Sequence, residues 1–201
     1  MKRPTQFIFS VLVAMFLAAA AIGQTAQQEN VQLDPSKTRI EFTLGDVLHT
    51  VHGSFRLKNG NLHFDPATGA VDGALIVDAT SGDSGSHSRD KKMNKEVLES
   101  AKYPEITFLP QKFTGHVNPQ GASQVAVSGI FRIHGADHPI TLIMPVRISG
   151  NELTATTHFE IPYEQWGMKN PSTFVLRVSN KVVIDLTAVG EVTSSDVTAK
   201  K

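Results

Sequence analysis

From Thr38 onward, apolar and polar residues alternate with a period of two, and that alternation restricts the fold more than any other feature of the chain. Ile40, Phe42 and Leu44 alternate with Arg39, Glu41 and Thr43. Val51, Phe55 and Leu57 share a parity, with Gly53 between them. Val71, Leu75, Val77 and Ala79 oppose Asp72, Ala74 and Asp78. Ile106 and Phe108 open another run, and Val125, Val127, Phe131 and Ile133 form the next. Ile140, Leu142, Met144, Val146 and Ile148 follow, then Leu153, Ala155, Phe159 and Ile161, and finally Val182, Ile184, Leu186 and Ala188. Such alternation marks strands with one apolar and one wet face.

The runs are separated by Lys58-Asn59-Gly60-Asn61, Asp65-Pro66-Ala67-Thr68-Gly69, Asn118-Pro119-Gln120-Gly121, Gly135-Ala136-Asp137 and Ser149-Gly150-Asn151. These are hairpin-length turns, so consecutive strands should pair antiparallel. One-sided strands in a meander bury their apolar faces by closing into a barrel or by stacking as a sandwich. Few connections are long enough for Greek-key crossings. The expectation is an all-β, antiparallel, up-and-down barrel of eight strands, with a short helix inserted around 89–100. Ser88 or Asp90 can cap that helix, Met93 and Val97 fall on one face of it, and Pro104 ends it.

The first 23 residues read as a secretory signal peptide: Lys2 and Arg3, an apolar run from Phe7 to Ile22, then a small-residue exit. Ala21-Ile22-Gly23 fits the cleavage site, with Gln24-Thr25-Ala26 as the alternative. The apolar run is short for a spanning helix, which argues against an uncleaved anchor and for no stable membrane insertion after cleavage. The domain is expected over 31–190, followed by a polar tail over 191–201. Losing Lys2 and Arg3 leaves a slightly acidic chain, without the clustered basic surface that nucleic acid requires. The sequence contains no cysteine, which removes disulfides and thiol catalysis. A periplasmic or secreted protein of the bacterial envelope is the expected setting.

Eight histidines invite a metal reading. His49 and His52 differ by an odd number, so a regular strand would point them to opposite faces. His134 and His138 could face each other across a hairpin, but zinc needs three or four ligands held in place. No metal and no cofactor is expected. His63, His116 and His158 lie on outward parity or in turns. Ser84, His87 and Asp90 are the residue types of a hydrolytic triad, yet residues three apart in one loop rarely provide its geometry, and no Gly-x-Ser-x-Gly elbow accompanies them. Arg89-Asp90 could fix the loop against the barrel, or Arg89 could meet an anionic group. Tyr163 and Trp166-Gly167-Met168 gather aromatic and thioether side chains that could line a cavity or fill a core.

Several of these segments together resemble the YceI-like family of lipid- or polyisoprenoid-binding proteins, from about Val31 to Val189. The strongest part is Ser81-x-Asp83-Ser84-Gly85-x-x-x-Arg89-Asp90-x-x-Met93, followed by Tyr103-Pro104-x-Ile106-x-Phe108. Val51-His52-Gly53-Ser54-Phe55, Gly129-Ile130-Phe131-Arg132-Ile133-His134-Gly135 and Trp166-Gly167-Met168 resemble further motifs of that family. Two positions depart: Lys92 stands where a histidine is common, and Tyr163-Glu164-Gln165 replaces an Arg-x-Asp pattern. The resemblance implies a lipocalin-like barrel that binds rather than catalyses, with an apolar small molecule as partner. The ligand lining would then be Phe42, Phe55, Leu75, Val77, Phe108, Phe131, Leu142, Met144, Phe159, Trp166, Met168 and Ile184, with Arg89 and Asp90 as a candidate polar rim. The competing readings are an envelope partner-binding module with a filled barrel, or an enzyme acting on a prenyl lipid.

Overall fold

Alternation produces strands wherever it was read. In the computed structural model, which describes residues 27–45, 50–173 and 177–196, the order is β1 (Gln27–Leu33), β2 (Arg39–Gly45), β3 (Thr50–Phe64), β4 (Val71–Asp83), α1 (His87–Lys92), β5 (Glu105–Thr114), β6 (Gly121–Ile133), β7 (Ala136–Ser149), β8 (Glu152–Ile161) and β9 (Val182–Asp196). Helix α1 continues as one wider π-helical stretch, Met93–Val97. Strands β2 to β9 pair antiparallel in sequence order, and β9 pairs back onto β2. The result is a closed eight-stranded up-and-down barrel, as the alternation predicts, with one short helix that begins at His87, so that its N-cap is Ser86 rather than Ser88 or Asp90. The signal-peptide residues and His49 lie outside the described residues.

Strand β1 is the element that the alternation does not announce. It pairs with β9 (Val31↔Val192) and with β3 (Val31↔Leu62), and so continues the slot that β2 occupies between the same neighbours. A turn over Asp34–Thr38 separates the two; the Thr38 N–H donates to the Asp34 carbonyl, and the Asp34 carboxylate accepts from the Ser36 N–H and hydroxyl. Partnership with β1 also carries β9 through Asp196, so residues 191–196 belong to the sheet and not to a polar tail.

Two expected turns fall elsewhere. Lys58-Asn59-Gly60-Asn61 does not break the chain: β3 runs straight through it, and one extra residue is absorbed as a bulge between Leu57 and Asn59. A bulge adds a residue to one strand only, so it reverses which parity faces inward. Leu57 faces in before it, and Leu62 and Phe64 face the interior after it. Gly60 is required there by close packing, because a Cβ would lie 2.5 Å from Cδ1 of Leu33 and 2.8 Å from its Cβ. The β6–β7 turn is His134-Gly135, since Ile133 pairs with Ala136. Both turn residues have positive φ (53° and 75°), the backbone of a two-residue turn that matches strand twist, so Ala136 and Asp137 are strand residues.

Gly60→Ala should therefore lower unfolding stability by about 1–3 kcal/mol, the usual cost of forcing a packed group aside. Chemical denaturation measures it, and an unchanged midpoint would contradict the Leu33–Gly60 contact.

Candidate functional site

The apolar faces of the strands enclose a cavity of about 680 Å³. Aromatic side chains of its lining pack in pairs. Phe42 and Phe55 meet at 5.4 Å between ring centroids, and Phe131 and Phe159 at 6.0 Å in an edge-on arrangement. Phe64 and Phe113 pack edge-on at 5.9 Å. Leu75, Val77, Phe108, Leu142, Met144, Met168 and Ile184 also border the cavity, so the expected lining is present with one exception.

That exception is Trp166. Its ring does not border the cavity but stacks flat on His138, with centroids 3.9 Å apart and planes 6° from parallel. It also packs 5.9 Å from Phe131. The cause lies in the connection after β8. There the Trp166 N–H donates to the Pro162 carbonyl and the Met168 N–H to the Tyr163 carbonyl. This tight turn brings Met168 to the cavity while Trp166 reaches across to β7. Tyr163 is buried, and its hydroxyl donates to the Ser179 carbonyl; burial, then the neighbouring Glu164, pushes its pKa up to about 12.

The polar rim differs from expectation in one member. Arg89 borders the cavity, but Asp90 does not. Asp90 accepts from the Ser84 N–H (2.9 Å) and the Ser84 hydroxyl (2.5 Å), which hold its carboxyl below the usual carboxylate range. Arg89 donates from Nε to Ser84 Oγ (2.8 Å) and from Nη2 to the Ser84 carbonyl (2.7 Å). The Arg89-Asp90 pair thus grips the buried Ser84 and fixes α1 to the end of β4. The Ser84 hydroxyl is spent on this grip, and His87 is exposed.

Lys92 also borders the cavity and donates to the Pro171 carbonyl at 2.9 Å; Lys169 meets Glu96 at 2.8 Å. These contacts clip the helical segment to the β8–β9 connection. Among the described residues, Arg89 and Lys92 are the only charged side chains on the cavity, and both are cations. Leu62, Phe64, Pro110 and Phe113 join the lining without having been expected there. A bulge between Pro110 and Lys112 switches parity in β5, as the Lys58 bulge does in β3.

The two hairpin histidines take different partners. His134 packs against Tyr103 with ring centroids 4.9 Å apart and planes tilted by 58°, its Nε2 3.5 Å from Glu99, whereas His138 lies flat on Trp166. Among the described residues, no group of three His, Cys, Asp or Glu is arranged to hold a metal. His63 and His158 pair on the outer face with Asp72 and Asp185.

His138 Nε2 is buried without a hydrogen bond, and burial lowers the imidazole pKa from its ordinary 6.5, with Asp137 partly opposing. A histidine pKa that is lower when folded favours the folded state above the unfolded pKa, and that contribution fades as pH falls below it. An NMR titration of His138 should therefore give a midpoint below 6.5. The stabilising contribution of the neutral His138–Trp166 stack should decline as pH drops through that range. A midpoint at or above the ordinary value contradicts the stacked, desolvated ring.

Solved structures share this architecture. A Burkholderia cenocepacia BcnA structure is 19% identical with a TM-score of 0.64, over 78% of this chain and 98% of that one. A polyisoprenoid binding domain from Saccharophagus degradans, implicated in plant cell wall breakdown, is 18% identical with a TM-score of 0.65, over 81% and 98%. A Campylobacter jejuni YceI protein is 13% identical with a TM-score of 0.52, over 97% and 99%. At these identities the likeness concerns the fold. Among curated proteins none matches the chain. The family model for the YceI-like domain matches residues 31–190, nearly the whole barrel, and the chain belongs to that family.

Proposed function

We propose that this protein is an exported, non-catalytic carrier that holds a polyisoprenoid or another long apolar lipid inside its barrel. The observation that carries the reading is the 680 Å³ cavity with an almost wholly apolar lining. A cavity of that size is in the range of small-molecule sites. Each buried methylene of a ligand contributes about 0.8 kcal/mol, offset by the ordering of the chain. An extended hydrocarbon can thus be held without any directional contact. The open interior favours a carrier over a partner-binding module with a filled barrel.

Two further observations support the proposal. Among the described residues the lining has no carboxylate and no imidazole, the usual groups for proton transfer near neutral pH. The Saccharophagus domain of similar fold is described as polyisoprenoid binding. Export rests on the basic start and apolar run of the first 23 residues. Intact mass of protein from the envelope fraction should show their removal; full-length chain in the membrane pellet would oppose it.

Leu142→Trp is the direct test of the cavity. It should weaken binding of a fluorescent prenyl analogue by about tenfold or more, the worth of roughly two buried methylenes. Overpacking costs about 1–3 kcal/mol, so circular dichroism must first show a native fold. Arg132→Ala is the comparison, because Arg132 is exposed and pairs only with Asp137 on the outer face. A folded Leu142→Trp protein that binds like the parent would refute the carrier.

A further inference from the structure

Among the described residues two ladders of the barrel are short: β4–β5, which stops at Leu75↔Phe108 on the side away from the helix and is rejoined by the Ala70↔Lys112 bridge, and β7–β8, whose gap reaches the helical end. Strand β7 pairs with β6 along its whole length, and β8 pairs with β9 along its whole length. The β7–β8 ladder, by contrast, runs only from Ser149↔Glu152 to Val146↔Ala155. Past that rung, Ile140–Pro145 and Thr156–Ile161 keep their outer neighbours but no ladder joins them. The His138–Trp166 stack bridges the two sides at the top of the seam.

The sequence explains why the ladder stops. Pro139 and Pro145 sit in β7, which is fully paired with β6. A proline has no N–H to donate, so it fits a paired strand where its nitrogen faces away from that ladder. Here, away from β6 is toward the seam. Two of the seam-facing donors of β7 are therefore missing, which also disfavours a peptide strand adding to this edge.

Side chains make the seam an apolar path through the wall. On the inside, Leu142 and Met144 of β7 and Phe159 of β8 border the cavity. On the outside, Ile143 is 53% exposed, the one exposed large hydrophobic among the described residues. Between Asp137 and Arg147 at its ends, its outward row, Pro139, Thr141, Ile143 and Pro145, carries no charge, nor do the β6 partners Ile130, Ser128, Ala126 and Gln124. The outward rows of β8 and β9 instead carry Glu160, Asp185 and Glu191. The described part of the axial mouth is a poorer route for hydrocarbon, since it presents Arg89 and Lys92 and is crossed by the Lys92–Pro171 and Lys169–Glu96 clips.

We propose that the outer face of β7 around Ile143 docks on a lipid bilayer surface, and that the apolar chain passes between bilayer and cavity through the β7–β8 seam. The inference rests on the carrier reading above and adds the route and the partner surface. Opening the seam separates side chains but breaks no ladder, whereas any passage between fully paired strands would break one.

The chain has no cysteine, so a staple can be placed cleanly. Continuing the register of Val146↔Ala155 sets Ile143 opposite His158. Ile143→Cys with His158→Cys is closed by a short bis-maleimide, with the same protein capped by N-ethylmaleimide as reference. Arg147→Cys with Thr154→Cys, stapled across paired residues, is the control. Loading is followed with a fluorescent prenyl analogue in phosphatidylcholine–phosphatidylglycerol vesicles. The seam staple should slow loading about tenfold or more, as closing a gate does, and the control staple should not. Ile143→Asp should likewise slow transfer from vesicles about fivefold or more by placing a charge against lipid. Seam-stapled protein that loads as fast as its capped reference overturns the route, and unchanged transfer by Ile143→Asp overturns the docking face. If the unstapled parent fails to bind the analogue even at equilibrium, the carrier reading itself falls, and the route with it.

Discussion

A β-strand sends successive side chains to opposite faces, and in this chain one of those faces is apolar in each of the strands β2 to β9. Among the described residues no second sheet and no long helix is available to cover that face, so the sheet covers itself by closing. Closure abolishes the edges between β2 and β9 and gathers all the apolar rows into one interior. The remaining features follow from this constraint. Bulges adjust parity where the strand must bend, Gly60 admits Leu33, and β1 fills the part of the wall that β2 is too short to reach.

The wall is not uniform. Polar chemistry is concentrated at the helical end, where Ser84 is gripped by Arg89 and Asp90 and the helix is clipped to the β8–β9 connection by Lys92 and Lys169. These contacts hold together segments that have no ladder of their own. The body of the barrel relies on backbone pairing, and the β7–β8 seam relies on side chains. Strength of closure therefore varies around the barrel: the two prolines of β7 border one gap, and the short β4–β5 ladder leaves another.

Much of this was legible in the sequence, for a definable reason. Parity is a local property, so Phe42, Phe131, Leu142 and Ile184 could be assigned to one interior from their own strands alone. The reading failed where one residue changes the count. The bulges near Lys58 and Gln111 reverse parity, and so Phe64 and Phe113 were missed although both are ordinary apolar residues. Lys58-Asn59-Gly60-Asn61 has the composition of a turn, and only contact with the distant Leu33 explains why it is strand. Trp166 was misplaced because its partner, His138, is remote in sequence and belongs to another strand. Asp90 was placed on the rim because its tie to Ser84 depends on how the loop folds back.

The central claim is that the interior is occupied by a lipid chain in the cell. Mass spectrometry of organic extracts from the purified protein tests it most directly, with protein taken from its native host and never exposed to detergent. The account predicts a co-purifying polyisoprenoid or comparable long-chain lipid at close to one per protein, depleted in extracts of the Leu142→Trp variant. Native protein that yields no lipid above the level of that variant would contradict it.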